Sequence, residues 1–148
     1  MDEIRIPIRK FTGCEDIFLP RYMTEYSAGM DIYAAVETDE TILPGQRKMI
    51  PTGIAIALPV GYEAEIRPRS GLAVKNGVTL VNSPGTIDAD YRGEIGIIMI
   101  NHGEKPFIVK RGDRIAQMIV HQVCRVSWVA CDELDVTSRG NGGFGHTR

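Results

Sequence analysis

Glycine and proline recur at short intervals along most of this chain, and they limit the length of any regular element between them. Pairs such as Pro44-Gly45 and Arg111-Gly112 are typical of turns. The runs between such pairs are too short for ordinary helices. We therefore expect an all-β chain of short strands, folded as a sandwich or a jelly-roll-like barrel.

Four apolar stretches are candidates for these strands. The segments at 53–59 (GIAIALP) and 63–68 (EAEIRP) alternate, or nearly so, as strands with one buried face do. The segments at 94–101 and 114–123 are richer in Ile and Val, which indicates burial on both faces. One short helix is expected within 69–77, with Ser70 as its N-cap and Gly77 as its left-handed stop.

Length and charge exclude several classes of protein. A chain of 148 residues with 43% hydrophobic residues suits one domain with one core. A net charge of −2 argues against nucleic acid as a partner, because a duplex demands a broad basic surface. No export signal or membrane-spanning stretch is visible, and the cysteines (Cys14, Cys124, Cys131) form no CxxC pair. We expect a cytoplasmic protein with no membrane partner.

The composition changes near residue 137, where strand-like sequence gives way to a glycine-rich end. We interpret residues 1–136 as a β domain and residues 137–148 as a flexible arm. The arm carries Arg139 and Phe144 among four glycines of the segment RGNGGFGHTR. Taken alone, such an end is typical of a disordered terminus.

Four stretches have residues suited to chemistry, each with a plainer structural interpretation beside it. RPRSGLA places arginines before a helix start, as an anion pocket or as a simple cap. GTIDADYRGEI describes a hairpin tip with Asp88, Asp90 and Tyr91, or a turn that uses Asp for local hydrogen bonds. Asp31 lies in an apolar segment and needs a partner, most simply an arginine. Gln117 interrupts an apolar strand, so its amide faces the surface, a buried partner or a ligand.

Other chemistries find no support in the spacing. The three histidines show neither HxH nor HExxH spacing, which argues against a metal held by protein side chains. The chain has no GxSxG sequence, and nothing indicates a covalent nucleophile.

In order, the stretches AGMDIYAA, RPRSGLA, GTIDADYRGEI, RGDRIAQM and RGNGGFGHT resemble the five motifs of the homotrimeric deoxyuridine triphosphatases. The resemblance covers Ser27 to Thr147. It implies a jelly-roll-like subunit, a threefold homotrimer, and active sites that are each built from three chains. It also implies hydrolysis of dUTP to dUMP and pyrophosphate, which limits dUTP and supplies dUMP for thymidylate synthesis.

The resemblance also assigns roles to residues. Asp88 is expected to hold and deprotonate the water that attacks the α-phosphorus. The phosphates are assigned to Arg69, Ser70, Gly71, Gln117 and Arg139, and the uracil and deoxyribose to Asn82, Tyr91, Gly96 and Phe144. Asp31 is expected behind these, as a partner of the arginines or of metal-bound water. Mg²⁺ is expected as the cofactor, bound through the triphosphate rather than by protein side chains.

The arm is expected to act as a lid, with Gly145, His146 and Thr147 as further contacts. At 146 this chain departs from the family pattern, because His146 cannot donate the hydroxyl expected there. Two alternatives remain: a dCTP deaminase-type relative, and a trimeric nucleotide-binding module that regulates a partner.

Overall fold

A computed structural model of the chain describes residues 3–145. Within that range the chain forms twelve β-strands and one α-helix, which confirms the all-β prediction. The strands are β1 (Ile8–Lys10), β2 (Arg21–Tyr22), β3 (Met30–Tyr33), β4 (Glu40–Ile42), β5 (Arg47–Pro51), β6 (Ile54–Ile56), β7 (Tyr62–Arg67), β8 (Val78–Leu80), β9 (Gly85–Ile87), β10 (Gly96–Asn101), β11 (Phe107–Val109) and β12 (Arg114–Gln122). The helix α1 spans Ser70–Asn76.

The strands pair in an antiparallel manner throughout the described part of the chain. The largest sheet has five strands in the order β2-β3-β12-β7-β9, and a second has three in the order β5-β10-β8. Two further pairs, β1-β6 and β11-β4, complete the set. Neighbours in these sheets are often distant in sequence, so residues from separate motifs meet at one sheet.

A single large core holds the sheets together. Its members are mostly β-branched, which suits the pleated surface of a strand, and they include Ile32, Ile42, Ile50, Ile97, Val109 and Ile115. Two burial predictions were wrong in detail. β6 is buried at every residue rather than alternating: Ile54 and Ile56 belong to the core, and the small side chain of Ala55 between them is also buried. β10 alternates rather than being buried on both faces, because only one of its faces turns to this core.

The helix ends as predicted but begins differently. Gly77 adopts a left-handed conformation (φ 66°) and its amide donates back to Ala73 and Leu72. The N-cap is Arg69 rather than Ser70, with extended backbone and no capping side chain. Ser70 is instead the first helical residue. The amides of Ser70 and Gly71 therefore lie in the first turn, where a helix has no internal acceptor for them.

Arg111 ties the N-terminal segment to the turn before β12. Its guanidinium donates to both carboxylate oxygens of Asp16, at 2.8 and 2.6 Å, and to the carbonyls of Gly13 and Val36. The hydrogen bond from Arg111 lowers the pKa of Asp16 below its ordinary value. The same pairing raises the pKa of Arg111.

The chain leaves its sheets after Gln122. Residues 123–145 contain no strand or helix and are nearly all exposed. Their exposed side chains include large apolar ones, namely Val126, Trp128, Val129, Leu134, Val136 and Phe144. The division at 136/137 stays a prediction. Within residues 3–145, no helix is long and apolar enough to cross a membrane.

Candidate active site

One cavity gathers four of the residues to which the resemblance gives a role in the site. It has a volume of about 490 Å³ and is open to solvent along the hairpin that joins β9 to β10. Asn82, Asp88, Tyr91 and Gly96 all line it. The remaining walls are Met49, Pro51, Thr86, Ile87, Glu94, Ile95 and Ile98. Polar groups on an otherwise apolar wall are typical of small-ligand sites.

A tight turn separates the two carboxylates of the hairpin. The amide of Tyr91 donates to the carbonyl of Asp88 at 3.1 Å, which closes the turn. Asp88 lines the cavity, whereas Asp90, two residues later, does not. Of the two arrangements that the sequence left open, extended chain or a turn, the turn is the one observed, and only Asp88 lines the cavity. Asp88 is exposed to the space in which a ligand and water would lie.

Tyr91 is held by its own hairpin. Its hydroxyl donates to the carbonyl of Glu94 at 2.8 Å. Gly93 makes this possible, since a Cβ there would stand 2.5 Å from the Tyr91 hydroxyl. The Glu94 carboxylate in turn accepts from the Gly53 amide at 2.8 Å, which anchors the hairpin to the loop before β6. The aromatic ring thus forms a fixed wall of the cavity.

A second cluster of charged residues lies on the five-stranded sheet. Asp31, on β3, is only 8% exposed. Its carboxylate accepts from Arg69 at 3.2 Å and from Arg114 at 3.1 Å. An arginine partner for Asp31 was predicted, and the structure provides two. Arg114 was not among the predicted site residues, although it lies in the fourth motif.

Gln117 lies beside this cluster. In the sheet it stands opposite Asp31 on one side and Arg67 on the other. Its amide nitrogen donates to the carbonyl of Pro68 at 3.0 Å. Gly29 gives it room, because a Cβ there would stand 2.5 Å from the Gln117 side-chain oxygen. Gln117 therefore fixes the backbone that leads into α1.

Strand register keeps the cavity and the charged cluster apart in one chain. β9 runs antiparallel to β7, with Gly85 opposite Ile66 and Ile87 opposite Ala64. Asp88 therefore follows β9 at the level of Glu63, whereas the charged cluster lies at the level of Arg67. Four residues of strand correspond to about 13 Å. Neither Arg69 nor Gln117 lines the cavity around Asp88.

The tail residues do not reach either group. The Arg139 guanidinium donates to the carbonyl of Gly142 at 2.8 Å, within its own segment. Phe144 is fully exposed with φ +50°, and Gly145 is also exposed. None of the three lines the cavity. His146 and Thr147 lie outside the described residues.

The described residues offer few side chains that could bind a metal ion. Across residues 3–145, no group of three or more His, Cys, Asp or Glu side chains is placed to hold one. Each oxygen of the Asp31 carboxylate already accepts from a guanidinium. His121 lies inside β12, beside Arg67 and Glu65.

Comparison with known proteins identifies the family. The dUTPase family model matches residues 15–148. The deoxyuridine 5'-triphosphate nucleotidohydrolase of Maricaulis maris is 55% identical over 149 aligned positions, which cover 99% of this chain and 98% of the relative. The chain belongs to the dUTPase family. The enzyme of the same name from Syntrophotalea carbinolica is 59% identical over 87% of this chain and 88% of its own.

Solved structures share the fold at lower identity. The dUTPase of Staphylococcus bacteriophage 80alpha, solved with dUpNHpp, is 23% identical with a TM-score of 0.84, over 97% of this chain and 98% of that one. A mutant dUTPase from phage phi11 of S. aureus, described as coordinating a structural Mg(II) ion, is 20% identical with a TM-score of 0.78, over 88% and 98%. These likenesses confirm the dUTPase fold.

Proposed function

We propose that this protein hydrolyses dUTP to dUMP and pyrophosphate, with Asp88 as the base that activates the attacking water. The observation that carries the proposal is the cavity, which brings Asp88, Tyr91, Asn82 and Gly96 together and leaves Asp90 out. The reaction limits dUTP and supplies dUMP for thymidylate synthesis. The exposed free thiols of Cys124 and Cys131 suit a reducing cytoplasm.

Water attacks the α-phosphorus, and its proton must leave as the new P–O bond forms. Asp88 accepts that proton, and the bond from the α-phosphorus to the bridging oxygen breaks to release pyrophosphate. A placed carboxylate typically accelerates such a step by ~10²–10⁴-fold. Asp88 suits this role because its side chain faces open cavity space while its carbonyl is fixed by the turn.

The cavity selects uracil through main-chain groups and one side-chain amide. Asn82 and the backbone at Gly96 contact the uracil edge, and Met49 stands 3.0 Å from where a Gly96 Cβ would lie. Thymine is excluded because its methyl group finds no space in the tight hairpin. Cytosine reverses the donor and acceptor pattern, which leaves buried groups unpaired and is a strong form of discrimination.

Tyr91 selects deoxyribose. Its ring is fixed at the hydroxyl end by the Glu94 carbonyl and packed against Gly93. A ribose 2′-hydroxyl would collide with this ring, so UTP is rejected.

The triphosphate lies against the second cluster. Arg69 and Gln117 contact phosphate oxygens, and the first-turn amides of Ser70 and Gly71 add donors. Asp31 stands behind them, because its carboxylate holds the guanidinium groups of Arg69 and Arg114 in one place. We assign it the role of orienting these arginines.

Mg²⁺ accompanies the substrate. The residues fit a cation bound by phosphate oxygens and water, since the described residues lack a three-ligand protein set and Mg²⁺ prefers such oxygens. When bound, it neutralises charge on the triphosphate. None of the protein contacts proposed above is made to the metal ion.

Two or more copies of the chain are needed to complete a site. Asp88 and the Arg69 cluster are about 13 Å apart along the strands, yet a water held by Asp88 must reach the same triphosphate. We infer a homotrimer in which the cavity of one copy meets the charged cluster of another and the arm of a third. The exposed apolar side chains of residues 123–136 support self-association.

In the closed site, Phe144 stacks on the uracil and Arg139 reaches the γ-phosphate. Arg139 can change partners, because within residues 3–145 its side chain donates to nothing but the carbonyl of Gly142 in the same segment. Gly145, His146 and Thr147 are assigned to the same lid. Closure excludes water other than the nucleophile.

A substrate panel tests the function. Purified protein is incubated with Mg²⁺ and dUTP, dCTP, dTTP or UTP, and pyrophosphate and ammonia are followed. Release of pyrophosphate from dUTP alone is the expected result. Ammonia from dCTP would indicate a deaminase, and binding of dUTP without turnover would indicate a regulatory module.

A further inference from the structure

We propose that Arg92 is a positioning residue of this reaction, which holds the turn that carries Asp88 and Tyr91. The inference rests on the proposed function. Arg92 does not line the cavity, and its side chain bonds to Tyr91 through the main-chain carbonyl rather than through the ring. It acts through the backbone of the hairpin.

The contact is made by one nitrogen. Nη1 of Arg92 donates to the carbonyl of Ala89 at 2.7 Å and to the carbonyl of Tyr91 at 2.8 Å. Hydrogen bonds from a charged donor are about twice as strong as neutral ones. A single cationic atom therefore draws together two carbonyls that lie on either side of Asp90.

These two carbonyls belong to the segment whose shape matters for catalysis. The turn is closed by one backbone hydrogen bond, from Tyr91 to Asp88 at 3.1 Å. Asp88 enters this turn and Tyr91 leaves it. Any change in the turn would thus move the proposed base and the deoxyribose wall together.

Arg92 also lines a separate groove of about 410 Å³ whose other walls include Ile8 and Ala57. Its side chain is exposed, so the two carbonyl contacts, rather than burial, hold the guanidinium at the turn.

Three variants test the proposal in the full-length protein. Arg92→Ala removes the donor, Arg92→Lys keeps a charge with a different geometry, and Arg47→Ala is the control. Arg47 is exposed on β5, far from the hairpin turn in sequence, and it lines neither the cavity nor the groove. The measurements are kcat and KM for dUTP and UTP, and amide hydrogen exchange of a peptide covering residues 86–95.

For Arg92→Ala we expect kcat on dUTP to fall by about 10–100-fold, because small displacements of a catalytic group are costly. KM should change by less than about threefold, and the preference for dUTP over UTP should shrink, since Tyr91 moves with Asp88. Exchange in 86–95 should become faster. Methylguanidine should restore part of the lost kcat, and Arg92→Lys should fall between Arg92→Ala and the unsubstituted protein.

Unchanged exchange in 86–95, or faster exchange with unchanged kcat and unchanged dUTP preference, would overturn the proposal. An equal loss in Arg47→Ala would do the same. If the unsubstituted protein does not hydrolyse dUTP, the proposed function fails. The exchange comparison still decides whether Arg92 holds the turn.

Discussion

At the scale of single residues, the hairpin carries two aspartates with different surroundings, of which one is the proposed base and the other can serve as its control. Asp88 faces the cavity and Asp90 does not. We expect Asp88→Asn to lower kcat by about 10²–10⁴-fold, because the amide cannot accept the proton of water. Binding of dUpNHpp, measured by calorimetry, should stay within about threefold because the side chain keeps its size and the turn keeps its backbone bond.

Asp90→Asn is the matched control, since it removes the same charge two residues away. It should retain most of the kcat of the unsubstituted protein. Equal losses in the two variants would point to the local charge of the hairpin rather than to a base at position 88.

A different residue governs the pH dependence of stability. The folded-state pKa of Asp16 lies below its ordinary value of 3.8 because Arg111 donates to it. Asp16 therefore stabilises the fold above about pH 4, and this contribution is lost as pH falls through the lowered pKa. Asp16→Asn should have a smaller free energy of unfolding than the unsubstituted protein at pH 7, and the two should converge in strong acid.

Urea unfolding at a series of pH values measures this difference. Asp39→Asn is the control, because Asp39 is exposed and makes no side-chain hydrogen bond within the described residues. A gap between Asp16→Asn and the unsubstituted protein that widens towards acid would contradict the role given to Asp16.

Sequence reasoning found which residues need partners but not always which partners they have. Asp31 required an arginine because an unpaired buried carboxylate is costly, and the structure confirms it. Asp31 pairs with both Arg69 and Arg114. The pairing with Arg114 depends on the register between β3 and β12, which local sequence does not encode. That Asp88 lines the cavity and Asp90 does not depends on a turn that the sequence left open.

At the scale of elements, the sequence predicted where turns occur better than it predicted which strand residues are buried. Gly77 ends the helix because its left-handed backbone suits glycine, a local property. Burial of β6 and β10 depends on what packs against them, so the alternation of 53–59 and the Ile and Val content of 94–101 both gave the wrong burial pattern. The N-cap is Arg69 rather than Ser70. The extended backbone after Pro68 ends at Arg69, and Ser70 is already helical.

The C-terminal arm can be removed without loss of the sheets. The hydrogen bonds that Arg139 and Gly140 make stay within residues 137–142. Truncation before Arg139 should leave the melting temperature within a few degrees and lower kcat/KM for dUTP by about 10²-fold or more, since a closing lid excludes water and completes the site. Steady-state kinetics beside a thermal melt check this.

The control for the truncation is Ser138→Ala, an exposed substitution just before the cut. It should behave as the unsubstituted protein does. Normal turnover by the truncated chain would contradict the role of the arm as a lid.

At the scale of the whole molecule, the proposed site divides into two groups of residues that lie apart in one chain. The cavity holds Asp88, and the charged cluster holds Asp31, Arg69 and Gln117. Sedimentation should give three times the chain mass of 16.4 kDa. The exposed apolar segment 123–136 should become protected from hydrogen exchange at concentrations at which the assembly forms.

Complementation tests whether sites are shared. Asp88→Asn and the arm truncation are each expected to have about 1% of the normal activity or less. The two variants are unfolded together in equal amounts and then refolded. Random assembly should restore roughly one quarter of the normal activity, because a site then combines an intact Asp88 from one copy with an intact arm from another. Activity no greater than the sum of the separate variants would show that each site lies within one chain.

Hydrolysis of dUTP in water labelled with ¹⁸O shows directly whether water attacks the α-phosphorus. If water held by Asp88 attacks the α-phosphorus, mass spectrometry of the products will find the label in dUMP and none in pyrophosphate. Label in pyrophosphate would place the attack on the β-phosphorus, and the absence of both products would show that this chain is not a dUTP hydrolase.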